Sequence, residues 1–498
     1  MPEEESSLKQ RTIKNAFWSI GDQFANQGIQ FILQIILARL LLPEHFGMIG
    51  MILVFILISN IIIDSGFSQA LIREQKVSQA DYSTVFYFNL LVSFLLYSVL
   101  YVMAPFISEF FKEEQLIPIL RVLSLSLIIN ALSIIQRTIL IKEINFKAQT
   151  KINIISGILS GILAIVLAVS GFGVWSLVVK TISLQFFQSI LLWFYNDWKP
   201  TFEFKLESFN KMFGFGSKLM IAGLISIIYS NIYYVVIGKL YSVSQLGYYT
   251  NSVKFTEAAS LSITAALQRV TYPVLSTIQD EEERLRYGFR KIIRISAFVN
   301  FPLMVGLAAI ASPLVSLLFG EKWMPMVIYF QLLCIAGMLY PLHAIDLNIL
   351  QVKGKASLFL HLIIARKVIL TLLIIGAVWL KLGITGLIVV VIIQSYIEFF
   401  INSYFAGKQI SYSMFEHIKD LSFIYLMAIM MGIVVYFVGF LTPEHATLQL
   451  IIQIVVGAVV YIGISKIIKS QELDFLLNTL STIWTRMSRK KRREIVKM

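Results

Sequence analysis

Several absences narrow the class of this 498-residue chain before any motif is considered. Only 14% of its residues are charged, against about 25% in soluble globular domains, so its composition excludes an ordinary soluble fold. The single cysteine, Cys334, excludes an intramolecular disulfide and makes redox chemistry unexpected. Residues 1–15 lack a short apolar core with a cleavage site, so we expect the first spanning helix, not a cleavable signal peptide, to direct insertion.

Motifs for covalent chemistry are missing as well. No phosphate-binding loop pattern occurs, so we do not expect ATP hydrolysis by that route. No nucleophile elbow, acid–base pair or large loop is present to house an enzyme site. The five histidines are scattered without the spacing of metal ligands, so we expect neither a metal nor another cofactor. Any transport would then depend on an ion gradient, with H⁺ and Na⁺ both open, on the membrane potential or on removal of the product.

Long apolar runs are what the chain has in quantity. Hydrophobic residues make up 57% of it, and many runs approach the roughly 20 residues that cross about 30 Å of hydrocarbon. We predict an all-α polytopic membrane protein with about fourteen spanning helices. The predicted spans are 15–41, 46–70, 83–108, 117–141, 152–170, 173–195, 213–238, 245–277, 290–319, 325–350, 357–380, 383–406, 420–441 and 446–468.

The sequence also repeats itself at an offset of about 200 to 210 residues. The segments 39–47, 104–108 and 171–177 return in the same order as 239–247, 312–316 and 381–387. Because each copy holds six helices, the copies have the same orientation, and their axis follows the membrane normal. The predicted domains are a six-helix lobe at 1–196, a cytoplasmic linker at 197–212, a second lobe at 213–408, two further helices at 409–469 and a tail at 470–498.

The basic residues fix the predicted orientation. The net charge of +13 comes mainly from loops on one side and from the C-terminus, so topology explains it without a nucleic acid. The positive-inside rule places that side and both termini in the cytoplasm. The tail has apolar residues at helical spacing from Leu473 to Met487, followed by the basic run 488–493. It predicts an amphipathic helix on anionic lipid, with a solvated tail as the alternative.

Polar stripes mark the first two helices of each copy. The stripes are Ser19, Asp22, Gln23, Asn26, Gln30 and Gln34 in helix one; Asn60, Asp64 and Ser68 in helix two; Ser226, Tyr229, Ser230 and Tyr233 in helix seven; and Asn251, Lys254, Glu257, Thr264 and Gln268, beside Arg269, in helix eight. Polar groups in hydrocarbon are costly unless they face protein or water, so four equivalent stripes favour a central wet cavity. Hydrogen bonding between helices is the alternative.

Roles can be assigned within these stripes. We predict that substrate contacts involve Lys254, Arg269, Asn26, Gln30, Asn60, Asn251 and Tyr233. The ion-coupling candidates are Asp22, Glu257 and Asp64. Lys254 and Arg269 would attract an anionic substrate, although Lys254 and Glu257, three residues apart, could instead neutralise each other on the helix surface. Lys180, Asp346 and Glu398 are weaker candidates, because such charges more often serve packing.

Five motifs carry a resemblance to a known family. They are RLLLPEHFG at 39–47, GFSQALIR at 66–73, QLGYY at 245–249, LQRVTYPVLS at 267–276 and FGEKW at 319–323. The chain resembles the polysaccharide transporters, the Wzx-type flippases of O-antigen and exopolysaccharide, and within them the colanic-acid and teichuronic-acid exporters. Their superfamily also holds drug antiporters and the lipid II flippase.

The resemblance implies two lobes around a central cavity lined by helices one, two, seven and eight. It implies a bacterial cytoplasmic-membrane protein that turns an undecaprenyl-diphosphate-linked oligosaccharide to the outer leaflet by alternating access. The diphosphate would give Lys254 and Arg269 a partner. Glycosyltransferases and a polysaccharide polymerase are the expected protein partners, beside membrane lipids. A drug antiporter, a lipid II flippase and a membrane-embedded polymerase are the alternatives.

Overall fold

The computed structural model describes residues 27–442, 445–479 and 481, apart from the side chains of 261, 262, 265, 266, 269, 270 and 356. All regular structure in these residues is helical. The helices are α1 Gln27–Leu40, α2 Pro43–Asp64, α3 Phe67–Arg73, α4 Gln79–Phe111, α5 Leu116–Leu123, α6 Leu125–Lys142, α7 Phe146–Val169, α8 Val174–Tyr195, α9 Leu206–Leu240, α10 Val243–Thr277, α11 Glu282–Ala309, α12 Ala311–Phe319, α13 Met326–Gly337, α14 Tyr340–Val352, α15 Ala356–Trp379, α16 Gly383–Lys408, α17 Met414–Leu441, α18 Ala446–Ile467 and α19 471–479.

The predicted all-α membrane protein is confirmed. Twelve spans in the described part of the chain are long and apolar enough to cross a bilayer. In their described residues the first and eighth predicted spans are helical too, as α1 and α10, but neither is among the twelve. The number fourteen therefore stays a prediction.

Four predicted spans are each built from two helices instead of one. The span 46–70 breaks after α2, where Ser65 and Gly66 take the left-handed backbone conformation with φ of 47° and 72°. Glycine adopts this conformation without steric cost, which explains the break at this point. The other divided spans correspond to α5–α6, α11–α12 and α13–α14. Apolar periodicity does not reveal such breaks, because it continues across them.

The helices pack into two units, of which the first ends at Asn251 and the second begins at Ser252, inside α10. In the first unit, α2 packs on α9, and α6 and α7 pack on α8. Its aromatic core includes Phe67, Phe86 and Trp193. In the second unit, α11 and α18 pack on α17, and α14 and α15 pack on α16. These units are defined by packing, whereas the predicted lobes 1–196 and 213–408 are defined by the sequence repeat. The lobes therefore stay a prediction.

Candidate functional site

The polar stripes lie on two helical hairpins, α1–α2 and α9–α10, whose turns are 200 residues apart in the sequence. Helix α1 ends at Leu40 and α2 begins at Pro43, while α9 ends at Leu240 and α10 begins at Val243. Within the first unit the hairpins pack reciprocally. Gly47 lies against the carbonyl group of Val243, and Gly247 lies against the carbonyl group of Pro43. A side chain at either glycine would overlap that carbonyl oxygen, so glycine is what permits the close approach.

A second close contact lies at the other end of α2. The backbones of Gly66 and Gly216 touch, and a Cβ on either residue would overlap the backbone of the other segment. We call Gly47, Gly247, Gly66 and Gly216 the glycine seam. In this structure the seam joins the hairpins at both ends of α2.

Two of the predicted substrate residues are buried at this seam. The Gln34 amide donates a hydrogen bond to Oδ1 of Asn251, which is fully buried and donates in turn to the carbonyl oxygen of Gly247 at 3.3 Å. Tyr233 is buried, and its ring centroid lies 6.1 Å from that of Tyr249. In the conformation observed, Asn251 and Tyr233 therefore hold helices together.

Asn60 faces α6 of the first unit. Its side-chain amide donates to the carbonyl oxygen of Ile56 at 3.0 Å, and its Oδ1 accepts from Asn130 at 2.8 Å. Gln30 faces α7, because its Nε2 lies 3.5 Å from the position that a Cβ on Gly157 would occupy. Both residues have partners within their own unit.

Asp64 belongs to a polar network at the end of α2. Its Oδ1 accepts hydrogen bonds from the hydroxyl and backbone N–H of Ser68, and Thr138 donates to the Ser68 hydroxyl at 3.1 Å. Arg137 of α6 interacts electrostatically with Asp64 without a direct ion pair. Asp64 is thus half-buried beside a cation.

Arg137 is the site residue that sequence reasoning missed. Its guanidinium group donates to Gln188 at 3.4 Å, and Gln188 donates to Asn153 at 3.3 Å. It lies within the predicted span 117–141, five positions before Lys142, and outside the four polar stripes. Its position inside a predicted span was the signal that could have identified it, since a cation within a span is a functional candidate.

In the second unit, α10 has two different faces. Ser252 and Ser260 donate to the carbonyl oxygens of Met326 and Gly337 at 3.4 and 2.9 Å, so this face packs on α13. Lys254 and Glu257 lie on the other face, and both are exposed. They interact electrostatically, but no ion pair joins them. Their mutual neutralisation and their separate roles both stay predictions.

The weaker candidates in the second unit have partners. Glu398 pairs with Arg366 at 3.5 Å and accepts from Gln394 at 2.9 Å. Asp346 is fully buried and accepts a hydrogen bond from Ser403 at 2.6 Å. Asp22, Asn26 and the side chain of Arg269 lie outside the described residues.

The fold defines the class of the chain as a multi-pass helical membrane protein. It is similar to the solved structure titled "Lipid II flippase MurJ, inward closed conformation", with a TM-score of 0.72 and 18% identity. The likeness covers 91% of this chain and 98% of that one. At this identity it shows the fold alone.

The sequence then gives the family. The family model described as "Polysaccharide biosynthesis protein" matches residues 36–328, and the chain belongs to this family. It is 27% identical over 410 residues to the "Teichuronic acid biosynthesis protein TuaB" of Bacillus subtilis (strain 168), covering 81% of this chain and 84% of the relative. It is 25% identical over 345 residues to the "Lipopolysaccharide biosynthesis protein WzxC" of Escherichia coli (strain K12), covering 67% and 68%. The resemblance drawn from the five motifs is confirmed.

Proposed function

We propose that this chain is a flippase that moves a lipid-linked oligosaccharide of polysaccharide biosynthesis across the bacterial cytoplasmic membrane. Family membership and the flippase-like fold support this function. The observation that carries it is the exposed pair Lys254 and Glu257 on α10, the helix that lies between the candidate spans α9 and α11 in the chain. We take α10 to enter the membrane with its neighbours. Charges there are unfavourable against hydrocarbon, so they need a hydrated path.

The substrate would be an undecaprenyl diphosphate that carries an oligosaccharide. Its sugars would occupy the hydrated path, and its polyprenyl chain would stay in lipid. The diphosphate needs cationic hydrogen-bond donors, and we assign Lys254 and Arg269 to it. Asp22, Glu257 and Asp64 are the proposed sites of H⁺ or Na⁺ coupling.

Alternating access would require the glycine seam to open at one end while it stays closed at the other. Backbone-to-backbone packing of this kind suits a reversible contact, because no long side chains need to rearrange. The polar groups of Gln34 and Asn251, joined in the closed seam, would become available to the sugar when that end opens.

The remaining assignments follow from sequence and family. Both termini would lie in the cytoplasm, as the distribution of lysine and arginine indicates. The chain would act as a transporter and not as an enzyme. Glycosyltransferases would supply its substrate, and a polysaccharide polymerase would use its product.

Translocation in vesicles tests the proposal. Purified protein is reconstituted with a fluorescent undecaprenyl-diphosphate-linked oligosaccharide, and the outward movement of the label is measured with an impermeant quencher. We expect transport above protein-free vesicles. Lipid II serves as the second substrate, because the fold is shared with a lipid II flippase. Faster transport of lipid II than of several oligosaccharides would favour that alternative, and transport of neither would refute the flippase function.

A further inference from the structure

A cavity of about 400 Å³ lies in the second unit, along residues 287–295 of α11. Its walls include Arg290, Lys291 and Arg294 from α11 and Glu472 and Phe475 from α19. None of these residues belongs to the polar face of α10. Because α19 directly follows the last spanning helix, the cavity lies where the chain leaves the apolar part of the fold.

The carboxylates around this cavity are already engaged. Asp420 of α17 binds the Arg290 guanidinium through two hydrogen bonds and accepts a third from Tyr412 at 2.7 Å. Glu472 pairs with Arg294 at 2.5 Å, and its other oxygen accepts from Ser470 at 2.7 Å. These carboxylates have little capacity left to neutralise another cation.

One cation of the cavity wall, Lys291, has no carboxylate partner among the described residues. The Lys291 ammonium lies 4.1 Å from the centre of the Phe475 ring, and no carboxylate of the described residues forms an ion pair with it. The buried Nε of Arg294 has no hydrogen-bond partner among the described atoms. Three cations and one carboxylate line the cavity, so its wall is net positive.

Apolar side chains lie at the cavity and close to it in sequence. Phe475 lines the cavity and is partly exposed, and Ile467, Ile468 and Leu477 are exposed nearby in sequence. A basic cavity beside exposed apolar groups at the end of a spanning helix matches an amphiphile with an anionic head. A free anion would gain nothing from the apolar surroundings.

We propose that this cavity binds the phosphate headgroup of an anionic phospholipid, with Lys291 and Arg294 as the main donors. This inference goes beyond the proposed transport function and does not depend on it. The bound headgroup would connect α11 to α19 and add to the Arg294–Glu472 contact. The lipid would therefore stabilise the second unit.

Native mass spectrometry of the purified full-length chain tests this site. The protein is titrated with phosphatidylglycerol and, separately, with phosphatidylcholine. We expect phosphatidylglycerol to bind more tightly, and Lys291→Gln to weaken that binding by about fivefold. Lys291 has no ion pair with any described residue to lose, so the variant should fold. Arg284→Gln is the matched control, since Arg284 is exposed on the same helix, pairs with Glu281 and does not line the cavity.

Three results would overturn the assignment. The first is equal binding of the two lipids by the wild-type protein. The second is an equal loss in the Lys291→Gln and Arg284→Gln variants, which would indicate a general basic surface. The third is displacement of the lipid by inorganic phosphate at the same concentration, which would make the cavity a free-phosphate site. Lys291→Arg should restore the preference, and its failure to do so in a folded variant would also count against the proposal.

Discussion

Lys254 is exposed on α10, and no ion pair holds it to Glu257. A side chain with a purely structural role in a membrane helix would be expected to be buried or paired. Lys254 therefore remains the strongest candidate for contact with the diphosphate, whereas Asn251, three residues earlier, is buried in the seam. Neighbouring positions of one predicted stripe thus have different surroundings.

Replacing Lys254 by alanine should lower the rate of oligosaccharide translocation by about tenfold, the expected effect of losing one charge-assisted hydrogen bond. The level of protein in the membrane should not change, because the Lys254 side chain is exposed and forms no ion pair with Glu257. Lys419→Ala is the matched control, since Lys419 is an exposed lysine on α17. An unchanged rate in vesicles that contain equal amounts of protein would remove Lys254 from the substrate site.

The Arg366–Glu398 pair has a different role, because both side chains are largely buried, with exposed fractions of 12% and 17%. Removing one partner of a buried pair leaves a charge without compensation, at a cost of about 3 kcal/mol. Arg366→Ala should therefore lower the thermal unfolding midpoint of the purified protein. The double variant Arg366→Met/Glu398→Leu should regain most of that stability. A single variant as stable as the wild type would show that this pair is not structurally important.

At the scale of helices, the positions of the helices were predictable from the sequence, but their internal breaks and packing partners were not. Apolar length located the helices, because about 20 apolar residues suffice to cross the hydrocarbon. The sequence repeat located the two hairpins, α1–α2 and α9–α10, whose second helices begin at Pro43 and Val243. The breaks near Gly66 and between α13 and α14 were not predicted, since the apolar periodicity continues across them. The packing partners of Asn60 and Gln30 were also not predictable, because a stripe tells which face is polar but not which helix covers it.

The glycine seam can be locked to test whether it must open. Gly50 and Thr250 lie beside the Gly47–Gly247 end of the seam in sequence, and Thr250 Oγ1 is 3.0 Å from the position of a Cβ on Gly50. Side chains at the two positions therefore face each other, as a disulfide requires. We expect oxidation of a Gly50→Cys/Thr250→Cys variant to stop translocation and dithiothreitol to restore it. Cys334 is buried and would be replaced by serine in the background.

The two single-cysteine variants are the controls, and they should transport under both conditions. Full transport by the oxidised double variant, with the disulfide verified by mass spectrometry, would mean that this contact stays closed during the cycle. The proposed opening of the seam at this end would then be wrong.

At the scale of the whole molecule, the family and the membrane fold were within reach of the sequence. The five motifs identified the family because their order and spacing are specific even where each is modest. The division of the candidate residues into buried and exposed groups was not accessible, because it depends on which helix packs against each polar face. Arg137 shows the same limit, since its proximity to Asp64 arises from the packing of α6 near α2.

The central claim is that the face of α10 with Lys254 borders water inside the membrane-spanning part of the molecule. The most direct test compares the labelling of Lys254→Cys and Leu372→Cys variants by a hydrophilic, membrane-impermeant thiol reagent in intact cells and inverted vesicles. Both positions are exposed, but Leu372 lies on the apolar surface of α15. The account predicts that the Lys254→Cys variant is labelled from at least one side and that the Leu372→Cys variant is not. Equal labelling of the two positions, or none at position 254 from either side, would contradict it.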